Sequence, residues 1–237
     1  PERVQPATVE IVDIAGLVKG ASKGEGLGNQ FLGNIRECHA IIHVLRCFDN
    51  DNIVHVDGSV NPIRDKETID IELKDLETVE KRLEKVTRAA KAGDKVAQKE
   101  LALLGRYKEA LLQGISARAV ELSEEEQELS QSYQLLTAKP ILYVCNVDEA
   151  AAANGNKYVE QVREAVKGEN AQIIVLAVAT EADIAELETY EERQMFLQDM
   201  GLSEPGASVL IRAAYKLLSL QTYFTAGVKE VRAWTIP

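Results

Sequence analysis

Three nearly all-apolar runs constrain this chain more than any other feature: Ala40-Ile-Ile-His-Val-Leu45, Pro140-Ile-Leu-Tyr-Val-Cys145 and Gln172-Ile-Ile-Val-Leu-Ala-Val178. Each has the length of a strand and is apolar at successive positions as well as alternate ones, so both of its faces must be covered. Stretches with helical character accompany them, among them Gln30 to Glu37 ahead of the first run and Lys157 to Lys167 between the second and third. Buried strands that alternate with helices predict an α/β fold built on a parallel, doubly wound sheet.

A shorter β-branched stretch, Ala7-Thr-Val-Glu-Ile-Val12, predicts a further strand that ends at Asp13. The run that follows carries Gly16, Gly20, Gly24, Gly26 and Gly28. It is too glycine-rich for a helix and too long for a tight turn, and is expected to be a mobile functional loop. The middle of the chain changes period. Ile69, Leu73, Leu76, Leu83, Val86 and Ala90 step mostly by three and four, Gly93-Asp94 interrupts, and Ala97, Leu101, Leu104, Tyr107 and Leu111 resume the pattern. The expected result is an antiparallel α-helical hairpin with arms of roughly 20–27 residues, inserted between strands. Ser123-x-x-Glu126 predicts a capping box on a further short helix. Ala207 to Leu220 has helical spacing, and Gly227 to Ile236 alternates like a strand whose partner the sequence does not reveal.

Charge narrows the functional classes. With 27 basic and 38 acidic residues the net charge is −11, which excludes a surface that is basic all over. The imbalance is local: Lys74 to Lys108 holds ten Lys/Arg against six Asp/Glu, whereas Glu121 to Glu204 holds five against eighteen. No stretch approaches the ~18 consecutive apolar residues of a membrane helix, so no membrane association is expected. Cys38, Cys47 and Cys145 form no C-x-x-C pair and fit a reducing cytosol, and Cys38 and Cys47 read as small core residues. His39 and His43, four apart on an expected strand, would stand about 13 Å apart at ~3.3 Å per residue, too far to share a metal ion. The chain opens at Pro1 with no leader pattern and is expected to be a fragment.

Two short motifs carry chemistry. Asp13-Ile-Ala-Gly16 is a D-x-x-G arrangement at a strand end, where a carboxylate can hold Mg²⁺ and the glycine amide can reach a γ-phosphate. Asn146-Val-Asp-Glu149 follows an apolar strand where Ras-like nucleotide-binding proteins hold N-K-x-D, whose Asp accepts hydrogen bonds from guanine. With Glu at the fourth position that guanine-reading Asp is missing, the preference for GTP should be lost, and adenine becomes the expected base.

The twenty-residue block from Asp13 to Leu32 resembles the switch II region of the Obg family of translation-factor GTPases. Asn146 to Glu149 and Leu220-Gln-Thr-Tyr-Phe-Thr-Ala-Gly-Val-Lys-Glu-Val-Arg-Ala-Trp234 narrow the resemblance to the YchF group, the Obg-like ATPases. The resemblance implies a Ras-like P-loop NTPase parallel sheet, here incomplete, with an inserted antiparallel α-helical hairpin and the start of a TGS domain. The implied division is residues 1–62 and 136–222 for the two parts of the nucleotide-binding domain, 63–135 for the hairpin and 223–237 for the TGS portion. By the same resemblance Asp13 and Gly16 are the Mg²⁺ and γ-phosphate switch residues, with Asp13 the metal ligand. Asn146, Val147 and Glu149 frame adenine, and Ala179, Thr180 and Glu181 lie in the loop that closes over the base. Family members are cytosolic, hydrolyse ATP in preference to GTP and associate with ribosomes.

Two departures follow. No G-x-x-x-x-G-K-[S/T] occurs in the chain, and the family places that loop upstream of the segment matching Pro1. The chain by itself is therefore expected to bind nucleotide weakly or not at all. Leu17 stands where many Ras-like enzymes have a water-orienting Gln, which makes His55 the candidate catalytic group. The basic cluster Lys81, Arg82, Lys85, Arg88, Lys91 and Lys95, with Lys99, could meet the phosphates of RNA, as on a ribosome. A non-enzymatic ribosome- or protein-binding module and a GTPase are the competing functions.

Overall fold

The computed structural model describes residues 1–14, 27–53, 58–72 and 75–236. Along the chain the elements are β1 (Arg3–Gln5), α1 (Leu27–Glu37), β2 (Ile41–Arg46), α2 (Pro62–Glu72), α3 (Asp75–Lys91), α4 (Lys95–Leu112), α5 (Glu124–Gln131), β3 (Ile141–Asn146), α6 (Lys157–Ala165), β4 (Gln172–Leu176), α7 (Val178–Glu186), α8 (Tyr190–Asp199), α9 (Gly206–Leu217), β5 (Gln221–Ala226) and β6 (Glu230–Ile236). The glycine-rich run from Gly16 to Gly26 lies outside the described residues.

The three apolar runs form one parallel sheet in the order β2-β3-β4. Ile41 pairs with Ile141 and Arg46 with Asn146, and Leu142 to Asn146 pair with Gln172 to Leu176. Strand alternation sends Ile141, Tyr143 and Cys145 to one face, where Val159 and Val162 of α6 and Ile63 of α2 pack on them. The opposite face carries Leu142 and Val144, and α9 lies against β3 and β4 there. Helices on both faces explain why β3 is buried along its length.

The stretch Ala7–Val12 differs from expectation: it is not a strand, and Ile11 and Val12 are 57% and 55% exposed. A strand exists only beside a hydrogen-bonding neighbour, and no described residue pairs with these. The chain pairs earlier, where Arg3 to Gln5 run parallel to Glu230 to Arg232. The partner that the sequence did not reveal for Gly227 to Ile236 is β5, antiparallel to β6, with Tyr223 opposite Trp234. Their rings stack at 6.5 Å, and the Arg232 guanidinium lies 4.1 Å from the Trp234 ring centroid.

The helical hairpin is α3 against α4, closed over Val79, Leu103, Leu104 and Tyr107, with Tyr133 and Leu135 completing its core. Its arms have 17 and 18 residues, shorter than the periodicity suggested because the apolar series splits between α2, which holds Ile69, and α3. Gly93 takes φ +93° at the turn, a conformation open to glycine. Asp94 then caps α4, accepting from the Val96 and Ala97 amides at 2.9 and 3.1 Å. The capping box at Ser123 and Glu126 is present on α5.

One buried polar knot fastens this insertion to the sheet. Glu169, in the turn before β4, pairs with Lys66 of α2 at 2.6 Å and with Arg118, beyond α4, at 2.9 Å. The Tyr143 hydroxyl donates to the same carboxylate at 2.8 Å. Nearby, Asp75 at the start of α3 accepts from the Leu136 amide (2.8 Å), the Thr137 amide (2.7 Å) and the Thr137 hydroxyl (2.6 Å). Both ends of the insertion are thus tied to β3 and to the backbone just ahead of β3 and β4.

Burial alone would raise the Glu169 carboxyl, but the hydrogen bond and charge of Lys66, the Tyr143 hydroxyl and the Arg118 charge outweigh it and hold the group below the usual carboxylate range. A carboxyl lowered in this way contributes stability that is fully present above its unfolded pKa, roughly 4.3, and is lost as pH falls through the folded value. Glu169→Gln leaves two buried cations without their anion and should cost about 3–5 kcal/mol at pH 7 in urea unfolding. The gap from the parent should shrink as pH falls below about 4. Equal unfolding midpoints at pH 7 would contradict this account of the knot.

Candidate functional site

In a parallel sheet all strands present their carboxyl ends at one edge, and ligands of open α/β sheets bind in the crevice beyond it. Here that edge is the row Arg46, Asn146 and Leu176, which face one another in register. The ladder runs on past the strands: the Cys47 amide donates to the Asn146 carbonyl at 2.7 Å and the Val147 amide to the Leu176 carbonyl at 2.9 Å.

Asn146 is the polar centre of this edge. Its Oδ1 accepts from the Val178 amide at 3.1 Å. Helix α7 begins there with Ala177 in the N-cap position, a residue that has no side-chain acceptor, so Asn146 caps the helix from another strand. Val147 is 3% exposed and belongs to the core. Asp148 accepts from the Ala151 amide at 3.0 Å and starts a single 3₁₀ turn on which Glu149 is exposed. Ala179 is exposed and Thr180 buried in the first turn of α7. Glu181, one residue on, directs its carboxylate to the start of α9, accepting from the Gly206 amide at 2.7 Å and the Ala207 amide at 3.2 Å.

Arg46 organises the loop beyond β2. Its guanidinium donates to the carbonyls of Phe48 (3.1 Å), Asn50 (3.0 Å) and Ile53 (3.0 Å). The Asn156 amide group holds the Cys47 carbonyl at 2.7 Å, and the Tyr158 hydroxyl donates to Asp49 at 2.7 Å. A single arginine at a strand end gives no sequence signal for this role, because its acceptors are all backbone carbonyls.

The structure brings together Asn146, Val147, Glu149, Ala179 and Thr180 and does not bring Asp13 to them. Asp13 is exposed, and its neighbour Ile14 packs with Leu32, Ile35 and Leu136 in a cluster that also takes in Ile41, at the amino ends of β2 and β3. Gly16 and His55 lie outside the described residues. Among the described residues no group of three or more His, Cys, Asp and Glu could hold a metal ion. None of their helices is long and apolar enough to cross a membrane.

Within the basic cluster the six side chains differ. Lys81 pairs with Glu77 at 2.6 Å. Arg82 pairs with Glu100 at 2.6 Å, donates to Ser132 and covers the Tyr133 ring at 4.4 Å, which makes it a staple between the hairpin and α5. Lys85, Arg88, Lys91 and Lys95 are exposed around the hairpin tip and form no ion pair with a described residue.

A family model described as a 50S ribosome-binding GTPase matches residues 2–91. The chain is 56% identical over 239 residues to the ribosome-binding ATPase YchF of Escherichia coli O157:H7, an alignment covering 100% of this chain and 65% of that protein. It is 54% identical over 239 residues to the ribosome-binding ATPase YchF of Bacillus subtilis (strain 168), covering 99% and 65%. The solved structure of the Schizosaccharomyces pombe YchF GTPase superposes with a TM-score of 0.82 at 36% identity, covering 100% of this chain and 65% of that one. The chain spans 65% of the length of the relatives it matches.

Because Asn146 caps α7 where the helix's own N-cap residue cannot, Asn146→Ala should lower stability by about 1 kcal/mol, the usual cost of a lost helix cap. Chemical denaturation followed by circular dichroism measures it, and an unchanged midpoint would remove Asn146 from that capping role.

Proposed function

We propose that the chain belongs to the YchF family and is part of an ATP-binding and ATP-hydrolysing switch protein that works on the ribosome. The observation that carries the reading is the chemistry of the Asn146 corner. Glu149 stands where a guanine-reading Asp would stand, and it opens an exposed 3₁₀ turn. A purine held there by Asn146 meets no carboxylate matched to guanine's donors, so discrimination falls toward adenine.

In this reading Asn146, Val147 and Glu149 frame the base, with Ala179 and Thr180 closing over it. Asp13 and Gly16 sense the γ-phosphate. As an exposed hard-oxygen donor, Asp13 fits Mg²⁺, which keeps several waters and phosphate oxygens and, when bound, neutralises charge developing on the phosphates. His55 orients or stabilises the attacking water in place of a glutamine. Residues 1–62 and 136–222 make the nucleotide-binding domain, 63–135 the insertion and 223–237 the start of a TGS domain. The names of the bacterial relatives support ribosome association, and the cytoplasm is its place of action.

Because the chain contains no G-x-x-x-x-G-K-[S/T] loop, the test uses the complete reading frame that encodes it. Titration with ATP and GTP should show selective ATP binding and slow Mg²⁺-dependent turnover, and His55→Ala should lower kcat by about 10²-fold or more. GTP preference would replace the reading with a GTPase. Ribosome binding that ignores nucleotide would replace it with a docking module.

Lys85, Arg88, Lys91 and Lys95 form the proposed RNA-facing group, with Lys81 and Arg82 at its margin. Changing the four tip cations to Glu should weaken ribosome binding and flatten its salt dependence by a slope of roughly 3, since each phosphate that is no longer neutralised removes about 0.7–0.9. Co-sedimentation at several salt concentrations measures both, and an unchanged slope would remove the tip from the interface.

A further inference from the structure

Helices α7 and α9 share a defect. Neither has a capping side chain of its own: the N-cap of α7 is Ala177 and that of α9 is Pro205. Each borrows an acceptor from another element, and the two loans are in series. Asn146 supplies the first, to the Val178 amide at 3.1 Å. Three residues into α7, Glu181 supplies the second, to Gly206 at 2.7 Å and Ala207 at 3.2 Å.

The second joint has no slack. A Cβ at Gly206 would meet Leu176 Cδ2 at 2.5 Å and Glu181 Oε1 at 2.8 Å, so α9 is pressed onto the end of β4 and onto the carboxylate itself. At its far end α9 is separated from β5 only by Leu218, Ser219 and Leu220, a turn closed by the Leu220 amide on the Tyr215 carbonyl at 2.9 Å. Glu181 thus holds the first turn of α9, and α9 runs through that short turn into the β5-β6 hairpin.

We infer that Glu181 is a positioning residue that couples occupancy of the base edge to the second sheet through α9, which deepens the purine reading of Asn146 and rests on it. The Asn146 Oδ1 accepts from the Val178 amide and its Nδ2 can donate to a base, so a base that turns the Asn146 side chain turns both bonds together. Re-aiming that amide shifts the first turn of α7, and Glu181 shifts with it. By linkage, whatever binds the second sheet and moves α9 changes nucleotide affinity by the same factor.

Hydrogen exchange on the complete protein with and without Mg-ATP tests this. ATP should change exchange over residues 206–226 by about fivefold or more, the lower range of an allosteric coupling. In Glu181→Ala, held at an ATP concentration that saturates that variant, the ATP-induced difference should vanish. Glu181→Gln, which keeps one acceptor, should retain part of it, and Gly206→Ala, which forces the joint apart, should lose it. A merely structural cap would speed exchange equally in both states and leave the difference intact, and that result overturns the inference. If the parent protein binds no ATP, the purine reading itself fails and the coupling fails with it. Tight ATP binding with no change over 206–226 in the parent overturns the coupling alone.

Discussion

The carboxylate of Glu169 is the interaction on which the arrangement most depends. An insertion in the middle of an α/β domain has to leave the sheet and return to it without disturbing strand register, and a hydrophobic seam alone would let the two parts slide. Here one buried anion binds Lys66 on the way out and Arg118 on the way back, while Tyr143 of the central strand donates to it. Such a group is a poor source of net stability, since desolvating three charges costs most of what their attraction returns. It is a strong source of geometric definition, because any other docking angle strands a buried charge. Asp75 adds a second fastening made of hydrogen bonds alone, reaching from the start of α3 to the backbone just ahead of β3.

These fastenings sit toward the amino ends of the strands, and the polar groups of the candidate site sit at the carboxyl ends. Arg118 reaches the Lys139 carbonyl and Asp75 reaches Leu136 and Thr137, all before β3 begins. Asn146, Arg46 and Glu181 work where the strands finish. One edge is committed to holding the insertion, which leaves the other free for hydrogen bonds that a ligand can exchange. Arg46 illustrates the second kind: its three backbone acceptors lie on an exposed loop, where they order the chain without burying it.

What could be read from the sequence was whatever depends on side-chain pattern. The three core strands were legible because two-sided burial demands apolar residues at consecutive positions, and the hairpin because its apolar face repeats at helical spacing. Asn146 was legible as an amide at a strand end, and Ser123 with Glu126 as a capping box. Features that depend on a backbone partner were not. Ala7–Val12 has strand composition, yet strandhood belongs to a pair. Glu169 sits in Lys167-Gly-Glu-Asn170, which reads as a surface turn, and nothing in those letters indicates Lys66 or Arg118. Arg82 looked like one more member of a basic cluster, although Tyr133 and Ser132, fifty residues on, claim it. The amides of Gly206 and Ala207 that Glu181 captures carry no signature at all.

The position of Asp13 follows from the same distinction. Strands in this sheet run toward the edge that carries Asn146, so a six-residue stretch paired in parallel with it, about 20 Å long at ~3.3 Å per residue, would deliver its last residue to that edge. Ala7–Val12 has that length, and Asp13 comes next. The exposed Ile11 and Val12 are the side chains that pairing and coverage by a helix layer would remove from water. As the stretch stands, Ile14 packs at the amino ends of β2 and β3 and holds the carboxylate away from Asn146. Pairing of Ala7–Val12 beside this sheet, rather than any change in Asp13 itself, is therefore the physical condition for the Asp13 carboxylate and the Asn146 amide group to share one edge.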